Sequence, residues 1–263
     1  MEIQQWRVDA FAERPFTGNP AAVCLLEAPI TDRTAMAIAQ ENNYSETAFL
    51  TKKASGRYGL RWFTPECEIN LCGHATLASG FVAMEILEPG LEEVRFDTLS
   101  GELAVAKRAG LFELDFPAYE IKPVPVTEEM AAAFGARPQE AWMSRDLLCV
   151  FKNEEAVRSL EPDQALLAKL PGLLQHATAI SAAPEFECVS RSFAPKCGIA
   201  EDPVCGSAHC SIAPYWFGKL GKAEITGWQA SRRGGALHCR TAGPGRLKIA
   251  GAARLFSRDT LYI

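Results

Sequence analysis

Residues 3–10 alternate apolar and polar, with Trp6, Val8 and Ala10 separated by Arg7 and Asp9. That period of two predicts a strand. Phe16-Thr17-Gly18-Asn19-Pro20 is a turn cluster, and residues 21–26 form a short apolar run of buried-strand type. Thr31-Asp32 offers a helix cap, after which residues 33–42 carry helical spacing at Met36, Ile38 and Ala39 until Asn42-Asn43 stops it. Residues 47–51 and 58–64 return to strand patterns. Residues 73–87 have little charge before Glu85 and are apolar nearly all round, which predicts a buried central helix. Residues 94–98, 102–106 and 111–116 read as a meander with turns at Ser100-Gly101 and Ala109-Gly110.

Residues 117–125 carry three prolines and mark a candidate domain boundary. The pattern then roughly repeats. Helices are predicted at 128–134 and 163–170, and strands at 147–151, 178–181 and 185–193. A second apolar helix spans 206–220, broken or kinked near Pro214. Strands at 224–230, 235–241, 245–250 and 252–256 close the chain. Twice, strands precede one apolar helix and strands follow it. A sheet wrapped around a helix accounts for a helix that is apolar on every side. The expected architecture is an α+β pseudo-repeat of two like domains, 1–118 and 119–263, with the last strand free to return to the first.

The repeat has a second signature. Leu71-Cys72-Gly73-His74-Ala75-Thr76 and Val204-Cys205-Gly206-Ser207-Ala208-His209 are near copies, 133 positions apart. Acidic residues stand upstream of each: Glu68, and Glu201 with Asp202. A helix start leaves N–H groups unpaired and carries about half a positive charge, a setting that favours carboxylates and other anions. Gly73 and Gly206 permit close backbone approach, or merely helix–sheet packing; the duplication favours the first. Cys72 and Cys205 at helix starts are expected to have lowered pKa values.

Composition narrows the rest. A net charge of −5 over 263 residues gives no support for nucleic-acid binding. No apolar run approaches the roughly 18 residues that span a bilayer, and the N-terminus lacks the basic and apolar regions of a signal peptide, so a cytoplasmic location is expected. Nine irregularly spaced cysteines argue against a disulfide framework. Cys67, Cys72 and His74, like Cys205, His209 and Cys210, match no standard zinc spacing, so no metal is expected. No dinucleotide fingerprint, P-loop or hydrolase Gly-X-Ser-X-Gly frame occurs, and a cofactor-free enzyme is the simplest reading.

Glu46 sits between a predicted helix and an apolar strand. Partial burial there would raise its pKa and make it a general base or acid near neutrality; a solvated loop glutamate is the bland alternative. His74 can donate a proton to substrate or pack locally. Asp202 can orient a partner or close a turn before Pro203. Ser207 can bind a substrate carboxylate or cap its own helix. The two thiols can act as an acid/base pair in racemisation or be inert.

Val8-Asp9-Ala10-Phe11, Thr17-Gly18-Asn19-Pro20, Asn43-Tyr44-Ser45-Glu46-Thr47-Ala48-Phe49, Cys72-Gly73-His74-Ala75-Thr76 and Glu201-Asp202-Pro203-Val204-Cys205-Gly206-Ser207-Ala208-His209 resemble, in order and across nearly the whole chain, the PhzF-like (phenazine biosynthesis-like) isomerases. The resemblance implies a diaminopimelate epimerase-like fold, two similar domains each with a sheet around a central helix and the active site between them. It implies cofactor-independent proton transfer on a small acid, commonly in a homodimer. It casts Glu46 as the proton shuttle and His74, Asp202 and Ser207 as polar residues that hold substrate and assist the proton, while the helix-start argument makes Gly73, Gly206, Cys72 and Cys205 the substrate-binding candidates. The phenazine enzyme is similar in having threonine where this chain has Cys205. Cysteine before both glycines is instead the pattern of two-thiol epimerases. A two-cysteine epimerase or racemase, and a non-catalytic binding protein, therefore stand as alternatives.

Overall fold

The computed structural model describes residues 1–263. The first alternation becomes β1 (Glu2–Ala10), followed by β2 (Asn19–Leu26), α1 (Asp32–Asn42), β3 (Thr47–Ala54), β4 (Arg57–Phe63) and β5 (Glu68–Ile69). Then come α2 (Gly73–Phe81), β6 (Glu93–Thr98), β7 (Gly101–Arg108), β8 (Leu111–Pro117), β9 (Lys122–Val124), α3 (Glu128–Phe134), β10 (Glu140–Met143) and β11 (Leu147–Val150). Two short helices, α4 (Glu154–Arg158) and α5 (Gln164–Leu167), precede β12 (Gln175–Ile180), β13 (Cys188–Ala194) and β14 (Ile199–Asp202). The last are α6 (His209–Leu220), β15 (Glu224–Gln229), β16 (Gly235–Thr241), β17 (Arg246–Gly251) and β18 (Ala253–Tyr262). Two compact units result: Met1–Asp115 with Ala250–Ile263, and Phe116–Ile249.

Strand pairing runs in the same order in both. In the first unit β1–β2 is antiparallel, β2–β3 parallel, β3–β4 antiparallel, β4–β6 parallel and β6–β7 antiparallel. In the second, β10–β11, β11–β12, β12–β13, β13–β15 and β15–β16 repeat that series of directions. Each parallel pair spans a helical crossover, as parallel strands require. The returning β18 pairs with β1 over nearly its whole length.

Sequence chemistry sets the local ends. Thr31 accepts a hydrogen bond from the Thr34 N–H and starts α1; Asn43, at φ 50°, ends it in the left-handed region. Helix α2 is buried from His74 to Gly80 and packs on β1, β2, β3, β7 and β18, so its all-round apolar surface is matched. Full burial of a side chain such as Leu77 contributes about 1.5–3 kcal/mol. Helix α6 buries His209 to Ala213, Tyr215 and Trp216, and packs on β15 and β16.

Two helix expectations are corrected. The segment 73–87 is not one α-helix: after Phe81 it widens into a π-helical turn, Val82–Leu87, closed by the Glu88 N–H donating to the Ala83 carbonyl at 2.8 Å. The second helix starts at His209, not Gly206. Gly206, Ser207 and Ala208 form tighter turns whose carbonyls accept from His209, Cys210 and Ser211 at 3.0–3.1 Å. Pro214 does not break α6. It removes the donor that the Cys210 carbonyl would have met, and that carbonyl accepts the Tyr119 N–H at 2.8 Å instead.

Candidate active site

In the first unit, Glu46 lies just before β3 and His74 in the first turn of α2. His74 Nε2 and Glu46 Oε2 are 3.1 Å apart, with side chains only 8% and 12% exposed. The distance is that of an ion pair, but the angle misses a hydrogen bond, so both atoms keep an unfilled bonding position in a buried setting. On the other side of the ring, Nδ1 is 3.6 Å from Cys72 Sγ. Sulfur, nitrogen and carboxylate oxygen all fall within 4.8 Å of one another. Three such atoms so close together could hold one ion or pass a proton among them. Cys67, which the sequence placed near this group, is exposed and bonded to Thr64 instead. No side chain caps α2, whose first-turn N–H groups remain open beside Gly73.

The expectation of acidic thiols is overturned. Burial raises the pKa of Cys72, and the Glu46 carboxylate adds to it. Burial likewise raises that of Cys205, with Asp202 adding. Loss of solvation outweighs the helix-start field because both residues are almost wholly enclosed. His74 moves so as to hold its proton. Burial opposes protonation, but the Cys72 and Glu46 groups beside it outweigh burial and lift its pKa well above the ordinary imidazole value.

In the second unit, Ser207 does not cap a helix. Its Oγ lies 3.4 Å from Cys205 Sγ and accepts from Arg145 Nη2 at 3.1 Å. Asp202 is in β14; its carbonyl accepts from Gln229 Nε2 at 2.6 Å, while Gln229 Oε1 accepts the Cys205 N–H at 2.8 Å. Gln229 therefore fixes both ends of the Asp202-to-Cys205 turn that leads into Gly206. Glu201, by contrast, is engaged with Arg191, and Glu68 is held the same way by Arg61. Of the upstream acids, those two serve the fold.

Sequence reasoning missed Arg145, Asp146, His176, Tyr119 and Gln229. Asp146 is fully buried, accepts from Arg145 at 2.6 Å and from the Leu174 N–H at 3.1 Å, and lies 3.3 Å from His176 Nε2. Burial disfavours its charge, but His176 and Arg145 outweigh that and set its pKa at about 2. Gly172 allows this packing: at φ 81° a Cβ there would sit 2.6 Å from the Leu147 nitrogen. The available signal was the polar run Ser144-Arg145-Asp146 at the mouth of an apolar strand.

The family profile described as phenazine biosynthesis-like protein matches residues 8–258. An uncharacterized isomerase of Pseudomonas aeruginosa is 43% identical over 264 residues, covering all of both chains. The crystal structure of a PhzF-family phenazine biosynthesis protein from Enterococcus faecalis superposes with a TM-score of 0.96 at 44% identity, again over all of both chains. A probable proline racemase from Agrobacterium radiobacter, at 13% identity and TM-score 0.62 over 99% of this chain and 93% of its own, shares the fold alone. The chain belongs to the PhzF-like family of isomerases, on an α+β epimerase-like fold. No helix is long and apolar enough to cross a membrane.

Proposed function

We propose that the protein is a cofactor-independent isomerase that moves a proton on a small carboxylate-bearing molecule, its ring or chain amino-substituted. The observation that carries this reading is the buried Glu46–His74 pair, whose facing atoms keep unfilled bonding positions at the open start of α2. Glu46 takes a proton from carbon, the electron pair moves into the substrate's adjoining π-system, and the same carboxyl returns the proton to another carbon. His74, holding its proton beside Glu46, orients the carboxylate before the transfer. The open N–H groups of Gly73 and its neighbours favour the transient negative charge. Asp202, Ser207 and the Gly206 turn hold the substrate.

The test is deuterium uptake in D₂O across a panel of small cyclic and amino acids, read by mass spectrometry. Glu46→Gln is expected to lower uptake by roughly 10²–10⁴-fold with folding intact by circular dichroism. Uptake retained in that variant would overturn the reading. A thiol-based epimerase instead loses uptake with Cys205→Ser. That chemistry needs an ionised thiol, which burial disfavours at both cysteines. A homodimer is part of the proposal, checked by light scattering for twice the mass of 28.6 kDa.

A further inference from the structure

We propose that Arg145, with Ser207, forms an acid-selective binding fork that recognises the carboxylate of the substrate; this rests on the substrate class proposed above. Arg145 is anchored along one edge only. Nε and Nη2 donate to Asp146 at 3.1–3.2 and 2.6 Å, and Nη2 also donates to Ser207 Oγ. Nη1 makes no hydrogen bond within the protein. The side chain is 37% exposed, while its counter-charge Asp146 is 0% exposed. The Tyr119 ring lies 5.3 Å from Cζ and shields one face of the guanidinium.

An arginine that served only to neutralise Asp146 would need none of this. Asp146 already has the Leu174 N–H and His176 as partners, and a buried counter-ion has no reason to present its outer edge. Ser207 Oγ accepts from Arg145 and lies 3.4 Å from Cys205 Sγ, so its O–H can turn from that sulfur, a weak acceptor, to an incoming carboxylate. The Nη1 hydrogens and the Ser207 O–H together offer the two-point donor set that a carboxylate accepts and a carboxamide fits poorly.

The support is rigid. Asp146 is held by the Leu174 backbone and by the close approach of Gly172. Tyr119 is held through its N–H to the carbonyl that Pro214 leaves without a helical donor. Tyr119 and Pro214 are thus positioning residues; Arg145 and Ser207 are the binding pair.

Benzoate is the probe and benzamide its neutral match, titrated into the full-length protein and followed by NMR. Benzoate is expected to bind and benzamide not. Arg145→Gln is expected to weaken benzoate by roughly ten-fold or more, the cost of a charged hydrogen bond, and Ser207→Ala by a smaller factor, with near-UV circular dichroism unchanged in both. If Arg145→Gln does not fold, Arg145→Lys, which keeps a cation for Asp146, decides; it should weaken benzoate several-fold, because an ammonium cannot replace the fork. Equal affinity in a folded Arg145 variant, equal binding of benzamide, or no benzoate binding by the wild type would overturn the proposal. Glu46→Gln separates the two readings. It should keep benzoate affinity and lose deuterium uptake, so if its uptake persists the isomerase reading falls while the fork stands.

Discussion

The two Cys-Gly turns began as one motif and carry different chemistry. At Cys72 the α-helix starts at once, and the third residue, His74, meets a carboxylate. At Cys205 the helix waits until His209, and the third residue, Ser207, meets a guanidinium. Strand register shows where the difference arises. Ala22 pairs with Thr47 in the first unit as Leu147 pairs with Gln175 in the second. Glu46 precedes Thr47, whereas Leu174 precedes Gln175. The position that Glu46 holds is therefore apolar in the second unit. On the neighbouring strand the second unit places Arg145-Asp146 where the first has Pro20-Ala21. One backbone plan thus places a buried glutamate beside the motif in one copy and an arginine in the other, through changes at the mouths of two adjacent strands.

The largest effect on stability should come from the ion pair that the first unit lacks. Asp146→Asn leaves Arg145 and His176 facing a neutral amide and is expected to cost about 3 kcal/mol, read as a lower urea midpoint at unchanged slope. The same carboxylate predicts an acid limit. Its folded pKa of about 2 lies below the ordinary 3.8. Its contribution, about 2 kcal/mol, is therefore complete above the ordinary value and is lost as pH falls from there through about 2. Asp146→Asn should flatten that part of the acid denaturation curve; an unchanged curve would mean another group sets it.

The two central helices give a pair of opposite sign. At Gly80 in α2 a Cβ would lie 2.6 Å from Val105 Cγ1, so Gly80→Ala should destabilise by about 1–2 kcal/mol after its gain in helix propensity. At Gly218 in α6 a Cβ meets nothing within 4 Å, so Gly218→Ala should stabilise by about 0.5–1 kcal/mol. Thermal melts of the two variants check the signs.

The smallest effect sharpens the first site. His74 should titrate above the ordinary 6.5 in the wild type and lower in Glu46→Gln, as read from its ring resonances by NMR. With its folded pKa raised, its contribution to stability is complete below the ordinary value and is lost as pH rises through the raised one. Glu46→Gln should weaken that alkaline loss. An unmoved His74 resonance would show that the carboxylate does not hold its proton.

Much of the repeat was legible, and more could have been. Arg61-Trp62-Phe63-Thr64-Pro65 recurs as Arg191-Ser192-Phe193-Ala194-Pro195, 130 positions on. In each copy the arginine lies 5.0 Å from the phenylalanine ring centre and grips the upstream acid, Glu68 or Glu201. The sequence marked those acids as companions of the motif; their partners show them to be structural. The Glu46, His74 and Ser207 positions were legible because each stands at a break between periodic segments. Tyr119 and Gln229 were not, because single polar residues on separate strands and loops carry no local period.

Sequence alone determined most of the longer strands and helices in their order, the two apolar segments, the duplicated turns and the family, since periodicity and motif spacing are local properties of the chain; the short elements β5, β9, β10, β14 and α4 carry too little period to show. Tertiary structure decided the rest. Burial reversed the expected acidity of both thiols, strand register gave only one copy a glutamate, and Pro214 redirected a carbonyl to Tyr119 instead of breaking its helix. Solvation and hydrogen-bond satisfaction depend on neighbours brought from distant parts of the chain, and no window of sequence contains them.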